Sequence, residues 1–400
     1  MENDNSENEI ESIRELPEIN YNKISIITFA KFNRYFFIIF LCPIFCMLTN
    51  FFILLIDETK MVQNRGFFIS NYILLTYFMA GLFHFISYFK VKLNKNKELS
   101  YNDKNNNSGI IYIYTENEDK INNYNPCKII LFIILLSLII VIIYFLNNFI
   151  YKENVFEVRI FYLFFIPLFS KIILKENIYK HQYFSLIIAT SGLIFLLIPV
   201  ILKLSPKDIL PNIFNFIRGI LYSLFLVIFK YIIEKYYISP LKICLLFGII
   251  ALFINCFGYI IYSLIKYNNL NIFKDCLDFS QVENKFISIL YIILLFLFGI
   301  TLQLITFLAL FYFSPTLLMV TEVISPTLYW IAVTIKKGEL KMPDIVLNPI
   351  GYAIVLFSAL IYNEIIIFNF CSLNKNTKKF VNQRINLELE DIKNTPLTDN

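Results

Sequence analysis

The sequence predicts an all-α polytopic membrane protein of ten transmembrane helices in two inverted five-helix repeats, and three observations predict it. Of 400 residues, 58% are hydrophobic and only 16% charged, with a mean hydropathy of +0.64. That composition leaves too little ionisable surface for a soluble globule and is too apolar for a disordered chain. Apolar windows of about 20 residues recur down the chain, each able at 1.5 Å per residue to cross a hydrocarbon core about 30 Å thick. The ten windows divide into five and five, and an odd number of crossings places the second half upside down relative to the first.

The windows are 35–56, 66–89, 128–149, 155–174, 182–202, 213–233, 241–265, 286–313, 316–335 and 345–368. They are apolar on every face, whereas barrel strands alternate over about ten residues, so helices are required. The first window follows an acidic, Asn-rich tail (1–34) without the basic region, short apolar stretch and small-residue site of a cleaved signal. A disordered N-tail leading into an uncleaved anchor is expected, with Pro43 inside the first helix. The second window ends near His84, and after it comes the one long loop, 90–127, a low-complexity run of Asn, Lys, Asp and Glu expected to be solvated. The third window is almost free of ionisable groups.

The fourth window opens on Glu157 and Arg159 and contains Pro167; a charged link (Lys171, Lys175, Glu176, Lys180) leads to the fifth, which contains Gly192. The first repeat thus covers 35–202 and the second 203–368. In the second repeat the sixth window holds Arg218, with Lys230 near its end, the seventh follows Pro240, and the eighth holds Gln303. The ninth holds Glu322 and Pro326, and a second charged link (Lys336, Lys337, Glu339, Lys341) leads to a tenth containing Gly351. Proline, charged link, glycine therefore occurs in the same order in both halves. Lys230 and Glu364, close to span ends, read as interfacial. The C-tail, 369–400, carries Lys375, Lys378, Lys379 and Arg384, a cluster suited to anionic headgroups. Lysine and arginine are about twice as numerous on the side shared by the two tails and the long loop, so both termini are expected in the cytosol of an endomembrane or plasma-membrane protein.

An ionised side chain in hydrocarbon costs about 2.5–3.5 kcal/mol and persists only when paired, solvated or near an end. Arg159, Arg218 and Glu322 are thereby the candidate solute-binding residues, with uncharged Gln303 near mid-depth as a fourth. The arginines can bind an anionic group through bidentate hydrogen bonds, although Arg159 can equally pair with Glu157 at the membrane surface. Glu322 can hold a cation or a coupling proton once desolvation raises its pKa, or can equally be a structural partner of an arginine with no transport role. Pro43, Pro167 and Pro326 are expected to kink their helices and free backbone carbonyls.

The seven cysteines are scattered, without disulfide or zinc spacing, and two histidines cannot build a di-iron cluster. No HExxH, GxSxG or Walker lysine loop is present, so neither an enzyme nor a primary pump is expected, and no cofactor or resident metal. The expected partners are an unidentified small-molecule substrate and the bilayer, with no nucleic acid, in a monomer or homodimer.

Particular residues carry a family likeness. Val158-Arg159-Ile160-Phe161-Tyr162 through Ser170, with Leu174-Lys175-Glu176, Tyr179-Lys180-His181-Gln182 and Ser191-Gly192, resembles the fourth helix, short turn and fifth helix of the drug/metabolite transporter superfamily. The style is that of its EamA-like and nucleotide-sugar-transporter-like branches. Gly219 through Lys230, Glu234-Lys235, Pro240 and Gly248 are similar to its sixth and seventh helices, and Ser314-Pro315, Ser325-Pro326 and Tyr329-Trp330-Ile331 to its ninth. The resemblance implies a ten-helix carrier with two inverted repeats, cytosolic termini and a central cavity that opens alternately to each side. It also implies that phosphate-binding branches place a lysine with a threonine in the ninth helix. Here that helix has Thr316 and Thr321 but no lysine before Lys336, so a phosphorylated solute is not expected. The expected function is a secondary active transporter of a small organic solute, exchange-type or proton-coupled through Glu322. A structural or receptor-like membrane protein, or a membrane enzyme, are the alternatives.

Overall fold

A computed structural model describes residues 27–29, 36–59, 62, 65–98, 126–150, 161–203, 205–236, 238–267, 282, 284–312, 344–362 and 364–368, together with positions 315, 318, 325, 328, 331, 373, 377, 380 and 381. In chain order the elements are β1 (Ile27–Phe29), α1 (Phe36–Glu58), α2 (Arg65–Glu98), α3 (Pro126–Ile150), α4 (Tyr162–Phe169), which runs into a π turn (Ser170–Leu174), and α5 (Lys180–Lys203). They continue as α6 (Pro206–Tyr236), α7 (Pro240–Tyr267), α8 (Lys285–Tyr312), α9 (Asp344–Tyr362) and β2 (Ile366–Phe368). Seven of these helices are long and apolar enough to cross a membrane, and two shorter apolar segments, Phe164–Leu174 and Val346–Tyr362, accompany them. Large apolar side chains cover the outside: α3 alone exposes Ile130, Leu131, Ile134, Leu135, Leu138, Ile142 and Phe145. So large an apolar exterior belongs in lipid, and the chain is an integral multi-pass membrane protein.

Local sequence explains where several helices begin and end. Ser205 caps α6 with Pro206 at the first helical position, and the Asp208 carboxylate reaches back to accept from the Ser205 backbone N–H (3.1 Å) and hydroxyl (2.6 Å). Asn284 caps α8 by accepting from the Ile287 N–H. α5 starts where Gln182 Oε1 accepts the Tyr179 N–H at 3.0 Å. α9 stops at Glu364, whose φ of 58° sits in the left-handed region while Ile365 N–H donates to Leu360 and Glu364 N–H to Ile361.

Three expectations are corrected here. The stop at Glu364 ends the last helix short of 368, and residues 366–368 become a buried strand. Its partner is β1, inside the tail expected to be disordered: Ile27 pairs with Phe368 and Phe29 with Ile366, antiparallel. α2 runs to Glu98, well into the expected loop, because hydropathy marks only the part of a helix that lies in lipid. The ribbon rests against the helices through Phe368, whose ring meets Phe184 of α5 at 5.7 Å and Phe357 of α9 at 6.2 Å. On the same face Tyr179 lies near Glu176 and Glu364, and its pKa is raised by burial first and then by those carboxylates.

The principal helix contacts are α5–α9, α2–α7, α1–α8, α3–α6, α3–α7, α4–α6, α2–α8, α2–α3 and α7–α8, with a smaller one between α6 and α8. Two crossings bring backbones together through glycine. A β-carbon on Gly192 would stand 2.7 Å from Val355 Cγ2 and 3.0 Å from the Gly351 carbonyl, and one on Gly351 would stand 2.6 Å from Leu196 Cγ and 3.1 Å from the Gly192 carbonyl. Seven residues away, Ser185 and Ser358 exchange hydroxyl-to-carbonyl bonds of 3.0 and 2.8 Å, which sets α5 and α9 antiparallel. Gly81 meets the Leu245 backbone and Gly248 the Phe78 backbone in the α2–α7 crossing.

The centre is aromatic and tightly filled. Tyr77, Phe225, Phe229, Phe247 and Phe307 are all buried, with ring centroids 4.6 Å apart for Phe229–Phe307 and 5.0 Å for Tyr77–Phe247. These aromatic edges and faces add to the packing of four helices at one point.

Candidate functional site

The polar groups of the interior concentrate on α6. Asp208, Asn212, Asn215, Ser223 and Lys230 are buried on this one helix, between 0 and 7% exposed, with Arg218 half-buried among them. Positions 208, 212 and 215 recur every three to four residues, so they form a stripe along one face. Part of the stripe is satisfied locally: Asn212 Nδ2 donates to the Asp208 carbonyl and Ser223 Oγ to the Gly219 carbonyl, both at 2.8 Å.

Arg218 is not satisfied in that way. Its guanidinium donates to Asn147 Oδ1 on α3, and that is its one partner among the described residues. A guanidinium carries five N–H donors and a full charge, so among the described residues Arg218 retains donors and meets no carboxylate. One turn further on, Tyr222 stacks on Tyr162 of α4 (5.1 Å) and on Phe225 (6.1 Å), and Tyr77 and Tyr144 share a hydrogen bond nearby in the same core. The aromatic plug at Phe225 and Phe229 follows, and Lys230 lies beyond it. A planar anion or aromatic ring entering from the Arg218 end would thus meet a fork of donors and then stacked rings.

Of the expected site residues, Arg218 occupies an inward-facing, half-buried position. Gln303 is buried on α8, whose main neighbours are α1 and α2, and no bond joins it to Arg218. Arg159, Glu322 and Pro326 lie outside the described residues. Pro43 and Pro167 sit inside α1 and α4, and the three residues after Pro167 lead into the π turn, a local unwinding that a missing N–H favours. Lys230, read from the sequence as interfacial, is 6% exposed: its ammonium lies 2.9 Å from the Leu310 carbonyl and 3.3 Å from that of Phe311. The sequence reading passed over Asp208, Asn212 and Asn215, although their helical spacing just before an apolar window was a usable signal.

No protein-family model and no curated protein matches the chain.

Proposed function

We propose that the chain is a secondary carrier of ten membrane-spanning helices in two inverted five-helix repeats, which moves a small organic solute by alternating access along the inward face of α6. The observation that carries this reading is the pattern of helix neighbours. Counting α9 as the tenth crossing, each helix is exchanged with the one five positions away. The contact α1–α8 then becomes α6–α3, α2–α8 becomes α7–α3, and α2–α3 becomes α7–α8, while α2–α7 and α5–α9 map onto themselves. Every one of these contacts is present. The self-mapped pairs also carry glycines at matching places, Gly192 against Gly351 in one crossing, and Gly81 against Leu245 with Gly248 against Phe78 in the other, which supports a two-fold axis through both.

Two further observations support the count of ten. The β1–β2 ribbon joins the chain before α1 to the chain after α9, which supports an even number of crossings between them. In the ninth window, Leu318, Ser325, Leu328 and Ile331 have helical backbone, as does Pro315 just before it. Repeats of opposite topology can exchange conformations about a shared midplane site, which is the basis of alternating access. The lysine and arginine bias supports a cytosolic ribbon face, and the residue likeness to the drug/metabolite transporters supports the carrier reading.

Arg218 is the residue we assign to the solute, with its counter-charge supplied by an anionic group of the cargo. The test is uptake by liposomes containing the purified protein, with labelled succinate, uridine and choline as anionic, neutral and cationic probes, with and without a pH gradient. Uptake of none of these, nor of a wider metabolite panel, would refute the carrier reading.

A further inference from the structure

We propose that Lys230 is the gate residue that holds the carrier shut on the face shared with the ribbon, an inference that rests on the carrier reading above. α6 and α8 both end on that face, where β2 and the start of α5 also lie. The last four carbonyls of a helix have no intrahelical N–H partner and carry the negative end of its dipole. Lys230 reaches from α6 to two of these orphans on α8, Leu310 and Phe311, and its third acceptor is Glu234 at 3.2 Å. An ammonium has three donors, and all three are used. Just inward, Phe229 against Phe307 at 4.6 Å closes the same junction, with Phe229 and Leu310 fully buried.

The surroundings show why this contact is the one that opens. At the far end of α6 Arg218 is half-buried, whereas Lys230 is sealed. Glu234 lies on the next turn of the same helix with its side chain half exposed. When α6 and α8 part, Lys230 keeps Glu234 and gives up the two carbonyls, which pass to water. Glu234 therefore holds Lys230 in both forms, and the α8 carbonyls hold it in the closed one alone.

Cys244, fully buried near the start of α7 in the same core, reports on opening from that face. The experiment measures the rate at which N-ethylmaleimide labels Cys244, resolved by peptide mass spectrometry, in the full-length protein in nanodiscs. Lys230→Met is expected to speed labelling about tenfold, the loss of charge-assisted hydrogen bonds. Glu234→Gln is expected to leave it close to the wild-type rate, because the partner it removes is present in both forms. Acceleration by one of two neighbouring substitutions and not by the other is not what general destabilisation produces, and acceleration by Glu234→Gln keeps the proposal falsifiable if Lys230→Met does not fold. Wild-type rates in both variants, or acceleration in both, would overturn the proposal. Solute flux with unresponsive labelling defeats the gate alone; responsive labelling without flux of any solute leaves the gate standing and defeats the carrier reading.

Discussion

Gly192→Ala tests the α5–α9 crossing directly. The added methyl would lie 2.7 Å from Val355 Cγ2 and 3.0 Å from the Gly351 carbonyl, whereas carbon atoms prefer about 3.5–4.0 Å. The helices must separate by roughly 0.5–1 Å, enough to forfeit a quarter to a half of the dispersion well for the atoms along the seam. Overpacking of this kind costs about 1–3 kcal/mol. Gly351→Ala should cost a similar amount, since its methyl meets Leu196 at 2.6 Å, and the double substitution should cost less than the two together because one separation accommodates both methyls. Gly258 is the control: a β-carbon there meets nothing within 4 Å, so Gly258→Ala should be neutral or stabilising by up to about 1 kcal/mol through helix propensity. Thermal unfolding of the detergent-purified variants reads out all four. If Gly192→Ala melts like Gly258→Ala, the close crossing and the two-fold axis drawn through it are both wrong.

Arg218→Gln should reduce uptake of an anionic probe by about 10-fold or more, given 1.5–3 kcal/mol for hydrogen bonds to a charged group, with Arg218→Lys intermediate because it keeps charge but loses the fork. Equal uptake by wild type and Arg218→Gln would remove Arg218 from the solute path. Glu322→Gln should abolish any response of transport to a pH gradient while leaving exchange intact; an undiminished response would exclude Glu322 as the coupling site. Ile27→Cys with Phe368→Cys should crosslink under mild oxidation, since these residues face each other across the β1–β2 ladder, and absence of a crosslink would remove the argument for an even number of crossings.

The membrane spans were legible from the sequence because transfer free energy adds residue by residue along a window and needs no knowledge of neighbours. That is why the boundaries of α3, α5 and α7 agree closely with the hydropathy windows, and why the polar N-caps at Ser205 and Asn284 mark helix starts that local chemistry alone explains. Facing is different. Lipid tails are as apolar as a leucine, so hydrophobicity does not tell the lipid side of a membrane helix from its packed side, and association depends on small residues and hydrogen bonds that act between distant parts of the chain. Gly192 and Gly351 were visible as landmarks, yet only the packed structure shows them against each other. It alone buries Lys230, which hydropathy put at the interface, because the carbonyls that hold it belong to a helix end 80 residues away. Residues 27–29 likewise read as part of a polar tail, and become a strand only because the chain 339 residues further on is there to pair with them.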